Sequence, residues 1–367
     1  MMHSFFMLAL ISVQWVLIGY SLAFGPDAGG LAIIGGLKWV GLQGLTAAPS
    51  AYAPTIPHGA FIIYQAMFAV ITPALITGAF AEQMRFRSFI LFSLLWATVV
   101  YDPIAHWVWG EGGWLRSLGA LDFAGGTVVH ISSGMSALMA AAVLGRRLKT
   151  NSEPLPHDAT MNLVGMGLLW FGWFGFNAGS ALAANGLAVQ AFINTNTAAA
   201  MALLAWVTLS WARGKRPSVL GASAGGVAGL VAITPAAGYV SVPAAMLIGL
   251  AAGVICSWAV GLKFKLGVDD ALDVWGVHEV GGVLGALAVG LFATLDVNAA
   301  GANGLFYGNP GLLLKQLAAV VVVTVYSMGM TWLLLKLLER TVGLRVAEPE
   351  EHLGLDASQH GEAAYTE

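Results

Sequence analysis

Charged side chains are scarce in this sequence. Asp, Glu, Lys and Arg make up 10% of the 367 residues, whereas hydrophobic residues make up 58%. Ordinary soluble proteins carry roughly 25% charged residues, and a soluble fold of this length could not cover its core with so few. The scarcity excludes a soluble enzyme, a nucleic-acid-binding protein and a disordered chain, and it predicts an all-α, polytopic bundle of membrane helices.

Several chemical motifs are also missing. Cys256 is the only cysteine, so the chain cannot form an intramolecular disulfide, and its apolar surroundings are typical of a small buried side chain. The sequence contains no phosphate-binding loop, no metalloprotease His-Glu-x-x-His and no haem-attaching Cys-x-x-Cys-His. We therefore expect neither an enzyme nor ATP-driven transport, and no metal or cofactor.

Apolar runs of about 20 residues, the length that crosses a bilayer as a helix, occur ten times. The 47 glycines indicate that the helices pack closely. Three Gly-x-x-x-Gly pairs are interpreted as packing contacts: Gly225/Gly229, Gly249/Gly253 and Gly281/Gly285. The predicted spans are Ser4–Phe24, His58–Ala81, Ser88–Val108, Gly125–Leu144, Met161–Ala183, Leu187–Trp211, Val219–Tyr239, Pro243–Leu262, Val274–Leu295 and Leu312–Leu338.

The basic residues predict the orientation of these spans. Thirteen of the 16 Lys and Arg residues lie in even-numbered connections or towards the C-terminus, and only Lys38, Arg116 and Lys315 lie on the other side. Because basic residues are enriched on the cytoplasmic side of membrane proteins, we expect a multi-pass protein of the cell inner (plasma) membrane. Its C-terminus is expected to be cytoplasmic.

The segment after residue 338 is polar and mostly acidic, unlike the rest of the chain. We interpret residues 1–338 as a transmembrane domain and residues 339–367 as a cytoplasmic tail. The tail is either a disordered, solvated end or a segment with a regulatory or docking role.

Two histidines inside predicted spans carry an internal repeat. His130 follows Asp122 by eight residues, and His278 follows Asp270 by the same interval. The two histidine-bearing spans are five apart in order, so they run in opposite directions, as in the inverted repeats of transporters. Ionisable residues at membrane depth are functional candidates. A contacting pair of neutral imidazoles can share one hydrogen bond, whereas two separately packed histidines are the alternative.

The same repeat makes the chain one span short. The second half contains five spans and the first half only four. Symmetry therefore predicts an additional helix before Met1.

Aromatic residues give the next signal. Trp109 ends its predicted span, where an indole face can attract a cation or simply lie in the interfacial belt. In residues 170–180 aromatic residues alternate with glycine, and Asn177 and Ser180 follow. Bulky rings beside small residues can form a narrow apolar constriction.

Four segments together resemble the ammonium transporter family (Amt/Mep/Rh), in particular its bacterial Amt branch. They are residues 122–130 (Asp-Phe-Ala-Gly-Gly-Thr-Val-Val-His), 173–180, 276–278 and 354–361. The resemblance covers nearly the whole chain. It implies a homotrimer of subunits with eleven spans each, arranged as an inverted five-plus-five repeat plus a last long helix. It also implies that this chain begins at the family's second helix, and that residues 1–338 form an ammonium-channel domain.

The resemblance also implies roles for individual residues. Trp109, Ser180 and Phe68 correspond to the outer site that recruits ammonium, and Phe68 and Phe176 to a stacked aromatic gate. The twin pore histidines correspond to His130 and His278, and Asp122 to a buried acid with a structural and electrostatic role. Ammonium is expected to lose its proton near Asp122, and His130 and His278 are expected to relay that proton. The remaining pore or vestibule positions are Trp173, Thr234, Tyr101 and Gln65. Glu279 departs from the family, in which a small residue follows the second histidine.

The predicted function is selective conduction of ammonium or ammonia, with methylammonium as an analogue substrate. The expected partners are the lipid bilayer, two further copies of the chain and a PII-type regulator on the cytoplasmic face. One alternative is an ammonium sensor that acts through its tail. Another is a membrane protein that holds haem b between the two histidines.

Overall fold

Ten apolar helices make up most of the structure, a computed structural model that describes residues 1–148 and 157–365. Within those ranges nine helices are long and apolar enough to cross a membrane, and one further apolar helix is shorter. In chain order they are α1 (Met2–Phe24), α2 (His58–Phe80), α3 (Phe86–Leu118), α4 (Gly126–Leu144), α5 (Ala159–Ala181), α6 (Gly186–Ala212), α7 (Val219–Ile233), α8 (Val242–Leu266), α9 (Trp275–Phe292) and α10 (Pro310–Thr341). The prediction of a polytopic, all-helical membrane bundle is confirmed.

The remaining regular structure is short. A small antiparallel hairpin of β1 (Pro49–Ser50) and β2 (Ala53–Pro57) lies in the connection between α1 and α2. Two short helices, α11 (Glu348–Leu353) and α12 (Leu355–His360), follow α10. Lys149, one of the thirteen basic residues expected on the cytoplasmic side, lies outside the described residues.

The predicted span Val219–Tyr239 is longer than the helix that the structure shows. The helix ends at Ile233, and Pro235, which has no backbone N–H, follows two residues later. The backbone beyond it is irregular but buried within the protein, and its carbonyls find partners. The Phe123 N–H donates to the Pro235 carbonyl (3.1 Å), and the Asn194 amide donates to the carbonyls at 237 and 240. Irregular backbone at membrane depth is tolerated under such conditions.

Glycines allow the helices of the second half to touch. A Cβ built at Gly229 lies 2.5 Å from the Ala198 carbonyl oxygen, and one built at Gly249 lies 2.4 Å from the same atom. At Gly285 the nearest atom is the Ala232 carbonyl oxygen, at 2.1 Å. The interpretation of these glycines as packing contacts is confirmed, since any larger residue there would push two backbones apart.

The tail packs against the start of α3 and the end of α4. The Arg345 guanidinium pairs with the Glu351 carboxylate at 2.9 Å and also donates to the Leu144 carbonyl. The Glu351 carboxylate in turn accepts from the Leu148 N–H. Residues up to 360 are therefore docked rather than solvated, in contrast to the first of the two alternatives.

Both described ends of the chain lie on one face of the bundle. The Met1 ammonium group is 3.2 Å from the Asp356 carboxylate, and the His360 ring contacts the Phe86 ring at the start of α3. This placement agrees with an even number of crossings between Met1 and the tail.

Candidate functional site

A row of contacting rings crosses both halves of the bundle and ends on α9. Phe68 contacts Trp109 edge to face (5.7 Å between centroids) and Phe176 at 4.5 Å. Phe176 lies almost parallel to the His130 ring at 5.9 Å, and His130 lies 5.3 Å from His278. Five residues from α2, α3, α4, α5 and α9 are thus in sequential contact.

Trp109 at one end of the row is held in place by a hydrogen bond. Its indole N–H donates to the Asp122 backbone carbonyl at 2.9 Å. Since the N–H is occupied, the ring face is the part of Trp109 that remains for a ligand. This is the surface that attracts cations.

Ser180 lies near the same end of the row, in a hydroxyl pair that the sequence did not reveal. The Ser180 hydroxyl donates to the Phe176 carbonyl (2.9 Å), and its oxygen lies 2.9 Å from the Tyr64 hydroxyl. Tyr64 also donates to the Phe176 carbonyl at 2.6 Å and contacts the Phe68 ring. Its position four residues before Phe68, one turn away on α2, is the signal that could have identified it.

The Phe68–Phe176 pair is tilted. The planes of the two rings meet at 49°, so the pair is in contact without the parallel stacking that was predicted. Phe68 is only 2% exposed. Both rings are apolar, and an apolar constriction is costly for a hydrated ion to cross.

The two histidines meet inside the bundle, and the distance between their Nδ1 atoms is 3.2 Å. One ring must therefore donate its Nδ1–H and the other accept it. His130 is fully buried and His278 is 8% exposed. Within the described residues the His130 Nε2 atom has no hydrogen-bond partner, which leaves one imidazole nitrogen available for a ligand or a proton.

Trp173 packs against the His130 ring next to Phe176, whose ring lies 5.0 Å from that of Trp173. The Trp173 and His130 rings are almost parallel, with centroids 5.5 Å apart. The Trp173 indole N–H donates to the Thr234 hydroxyl (2.9 Å), which itself donates to the Leu230 carbonyl (2.7 Å). Thr234 therefore positions Trp173, and neither of its two hydrogen bonds is to a histidine.

Several of these residues lie in π-helical turns. His130 lies in Gly126–Ile131, Phe176 in Phe174–Ala178 and His278 in Trp275–Glu279. A π-turn inserts one residue into the helix and redirects the side chains that follow, and such turns are frequent at functional sites. The hydropathy of a sequence carries no signal for π-helical turns, so they could not be predicted from it.

The Asp-x7-His repeat has a structural explanation at its first residue. The Asp122 carboxylate accepts hydrogen bonds from four backbone N–H groups at the start of α4, at residues 125, 126, 127 and 128, and from the Thr127 hydroxyl. Asp270 accepts the Trp275 N–H at 2.8 Å at the start of α9. Each Asp therefore caps the helix that carries a histidine.

Tyr101 and Gln65 lie beside the row rather than in it. The Tyr101 ring contacts Trp15 on α1, and Gln65 precedes Phe68 by one turn on α2. Neither the Tyr101 hydroxyl nor the Gln65 carbonyl oxygen has a hydrogen-bond partner among the described residues. Glu279, the residue after His278, accepts a hydrogen bond from the Thr324 hydroxyl on α10.

The geometry does not fit haem. An iron ion between the histidines would need their nitrogens farther apart than the observed hydrogen-bonding distance, and a porphyrin would need the space that the rings fill. The part of the chain that the structure describes also contains no cluster of three or more His, Cys, Asp or Glu residues able to hold a metal ion.

Comparisons with known proteins agree with this architecture. Residues 1–365 match the family described as Ammonium Transporter Family. An ammonium transporter of Bacillus subtilis (strain 168) is 53% identical over 365 residues, 99% of this chain and 89% of the relative. The crystal structure of Saccharomyces cerevisiae Mep2 has a TM-score of 0.88 at 38% identity and covers 94% of this chain and 81% of its own. A structure titled "Sensor Amt Protein" has a TM-score of 0.88 at 30% identity, and the match covers 98% of this chain and 89% of that structure's chain.

Proposed function

This chain belongs to the ammonium transporter family, and from that premise we propose that ammonium nitrogen crosses the membrane along the row from Trp109 to His278. The uninterrupted contact between these rings is the observation that carries the proposal. Each step follows from the chemistry of the residues in the row.

The outer end of the row is the proposed recruitment site. Ammonium has four N–H donors and a positive charge, whereas potassium has the charge alone. The Ser180 hydroxyl offers an acceptor, and the faces of Trp109 and Phe68 attract the cation. A site that combines an acceptor with ring faces therefore favours ammonium over an alkali ion.

The gate and the histidines form the proposed conducting segment. The Phe68–Phe176 contact blocks a hydrated ion, so ammonium transfers one proton to water on the outer side and the nitrogen passes as ammonia. The neutral His130–His278 pair then offers nitrogens that can accept or donate a hydrogen bond along an otherwise apolar path. Asp122, fully engaged as a helix cap, holds the start of α4 in place, and with it the helix that carries His130.

We also propose that three copies of the chain assemble through a surface that includes α5. Only 11% of that span is buried, and among the described residues no atom lies within 4 Å of a Cβ built at Gly165, Gly167, Gly172 or Gly175. A lipid-exposed helix has no need of four uncovered glycines, whereas small residues let a neighbouring helix approach closely. The other exposed apolar faces contact the lipid bilayer.

The orientation that the basic residues favour places α11 and α12 on the cytoplasmic face of the plasma membrane. That face is also where a PII-type regulator would bind. The docked tail and the basic connections beside it form its accessible surface.

Uptake of labelled methylammonium by cells that lack their own ammonium transporters tests the proposal. We expect uptake that ammonium competes away and potassium does not. Trp109→Leu should raise KM, and Trp258→Leu, an exposed tryptophan on α8, is the matched control with unchanged uptake. Absence of ammonium-competed uptake in cells that insert the protein would contradict the proposal.

A second candidate function, sensing through the tail, is favoured by the docking of Arg345 and Glu351 on the bundle. A relative with a sensor title has the same fold. Deletion of residues 348–367 separates the two functions. If the protein is a sensor, the deletion should abolish partner binding and leave uptake intact. If the deletion lowers uptake and no binding partner is found, transport is the function.

A further inference from the structure

A second ionisable group, Glu279, lies inside the bundle one residue after His278. It is 5% exposed. The Thr324 hydroxyl on α10 donates to its Oε1 at 3.2 Å, and within the described ranges its Oε2 has no hydrogen-bond partner. A Cβ built at Gly134 on α4 lies 2.3 Å from the Glu279 backbone nitrogen. Glu279 therefore lies where α4, α9 and α10 meet.

The surroundings of Glu279 do not support a negative charge. Asp122 receives four backbone N–H groups and a hydroxyl, whereas Glu279 receives the Thr324 hydroxyl and faces the Met135 amide. An ionised carboxylate in a low-dielectric interior needs either several donors or a cation.

Among the described residues no cation pairs with Glu279 to make up this shortage. On α9 and α4 the nearest ionisable groups are the hydrogen-bonded imidazoles of His278 and His130. Between Lys315 and Lys336, α10 carries no charged residue, and α7 carries none at all. At the end of α8 Lys263 pairs with Asp273 and donates to the Asp270 carbonyl.

A row of hydroxyls leads from Glu279 along α10, from the half-buried Thr324 to the buried Ser327 and Thr331. Thr324, Ser327 and Thr331 are spaced by three and four residues, so they share one face of the helix. The Thr331 hydroxyl donates to Ser136 on α4 (2.8 Å). Ser327 is fully buried, and in the described part of the chain its hydroxyl has no partner. The row runs towards the face that carries the tail.

We propose that Glu279 is a proton-binding site separate from the twin histidines, and that it exchanges its proton through the hydroxyls of Thr324 and Ser327. The ligand is a proton, taken up by Oε2 to convert the carboxylate to the neutral acid without any other bond change. The neutral acid can donate a hydrogen bond and needs fewer donors than a carboxylate, so it suits the surroundings of Glu279. This goes beyond the proposed conduction path and does not depend on which nitrogen species crosses.

Infrared spectroscopy of the full chain in membranes tests the site directly. At neutral pH we expect a C=O stretching band of a protonated carboxyl that disappears in Glu279→Gln and remains in Asp102→Asn. Asp102 is a suitable control because it is also fully buried, with one oxygen bonded to the Gln14 amide. A wild-type spectrum from which Glu279→Gln removes no such band would overturn the proposal.

Two more variants keep the test valid if Glu279→Gln does not fold. Thr324→Val should shift the Glu279 band, because it removes the hydroxyl that donates to Oε1. Ser327→Ala should slow hydrogen–deuterium exchange of that band, whereas Ser223→Ala, a buried serine on α7, should not. An unshifted band in the first variant would contradict the assignment, and unchanged exchange in the second would contradict the path. Methylammonium uptake by the same variants reports on conduction separately.

Discussion

The Nδ1 atoms of His130 and His278 lie 3.2 Å apart, although 148 positions separate the residues in the chain. Each histidine lies in a π-helical turn, and each of the two helices is capped by an aspartate eight residues before its histidine. The cap fixes where the helix starts, and the π-turn then directs the imidazole towards its partner. The repeat in the sequence is thus a repeat of local structure.

Tyr64→Phe tests the hydroxyl pair at the recruitment site. The change removes the hydroxyl beside Ser180 and leaves the ring contact with Phe68 intact. We expect KM for methylammonium to rise by about two- to tenfold, the equivalent of one hydrogen bond, with little change in the maximal rate. The control is Tyr307→Phe, an exposed tyrosine, and an unchanged KM in Tyr64→Phe would exclude the pair from recruitment.

Thr234→Val tests whether Trp173 is positioned by its hydrogen bond. Valine has a similar shape but leaves the buried indole N–H without its acceptor, at a cost of about 1–3 kcal/mol. We expect lower uptake and a lower melting temperature. Trp173→Phe removes the same hydrogen bond. The fall in uptake and in melting temperature of the double variant should therefore be smaller than the sum of the falls in the two single variants. Strictly additive losses would contradict the coupling.

Gly285→Ala tests the contact between α9 and α7. A methyl group there meets the Ala232 carbonyl oxygen and Pro235, so we expect destabilisation by about 1–3 kcal/mol or more. Gly329→Ala on α10 is the matched control, since among the described residues nothing lies within 4 Å of its added carbon. Melting temperatures of the two purified variants should differ clearly, and equal values would argue against this packing.

Asp270→Asn tests a pH effect at the connection between α8 and α9. Burial raises the pKa of Asp270 to about 6, from an ordinary value of 3.8. Because the pKa of Asp270 is higher in the native state, the native protein binds more protons in this range than the unfolded chain does. The free energy of unfolding therefore falls as pH rises from about 4 to about 6, by up to about 3 kcal/mol. Asparagine can still accept the Trp275 N–H but does not ionise.

Over that pH range the melting temperature of the wild type should therefore fall relative to that of Asp270→Asn. The exposed Asp296→Asn is the control, and its melting curve should follow the wild type. Parallel profiles for the wild type and Asp270→Asn would show that the Asp270 carboxyl does not ionise in this window.

Much of the fold was predictable because membrane helices need long apolar runs. Each predicted span overlaps a helix, and the one clear error, the end of Val219–Tyr239, arose because Pro235 stops a helix without interrupting hydropathy. The docking of the tail through Arg345 and Glu351 was only one of two predicted alternatives. A sequence shows the charges but not which distant residues pair with them.

The site was predictable only in part. His130, His278 and the aromatic cluster around Phe176 could be identified because such residues are unusual at membrane depth. Phe68, and the role of Trp109, came only from the resemblance to the family. Tyr64 was missed because a tyrosine on an apolar helix is common, and its role depends on a contact with the distant Ser180. The tilt between Phe68 and Phe176 and the π-turns depend on backbone geometry, for which one sequence carries no signal.

Methylammonium uptake by His130→Ala and His278→Ala, measured beside the wild type in cells without other ammonium transporters, tests the central claim most directly. If nitrogen passes the His130–His278 pair, each variant should lose uptake, or lose its preference for ammonium over potassium. Undiminished uptake with unchanged selectivity in both variants would contradict the account.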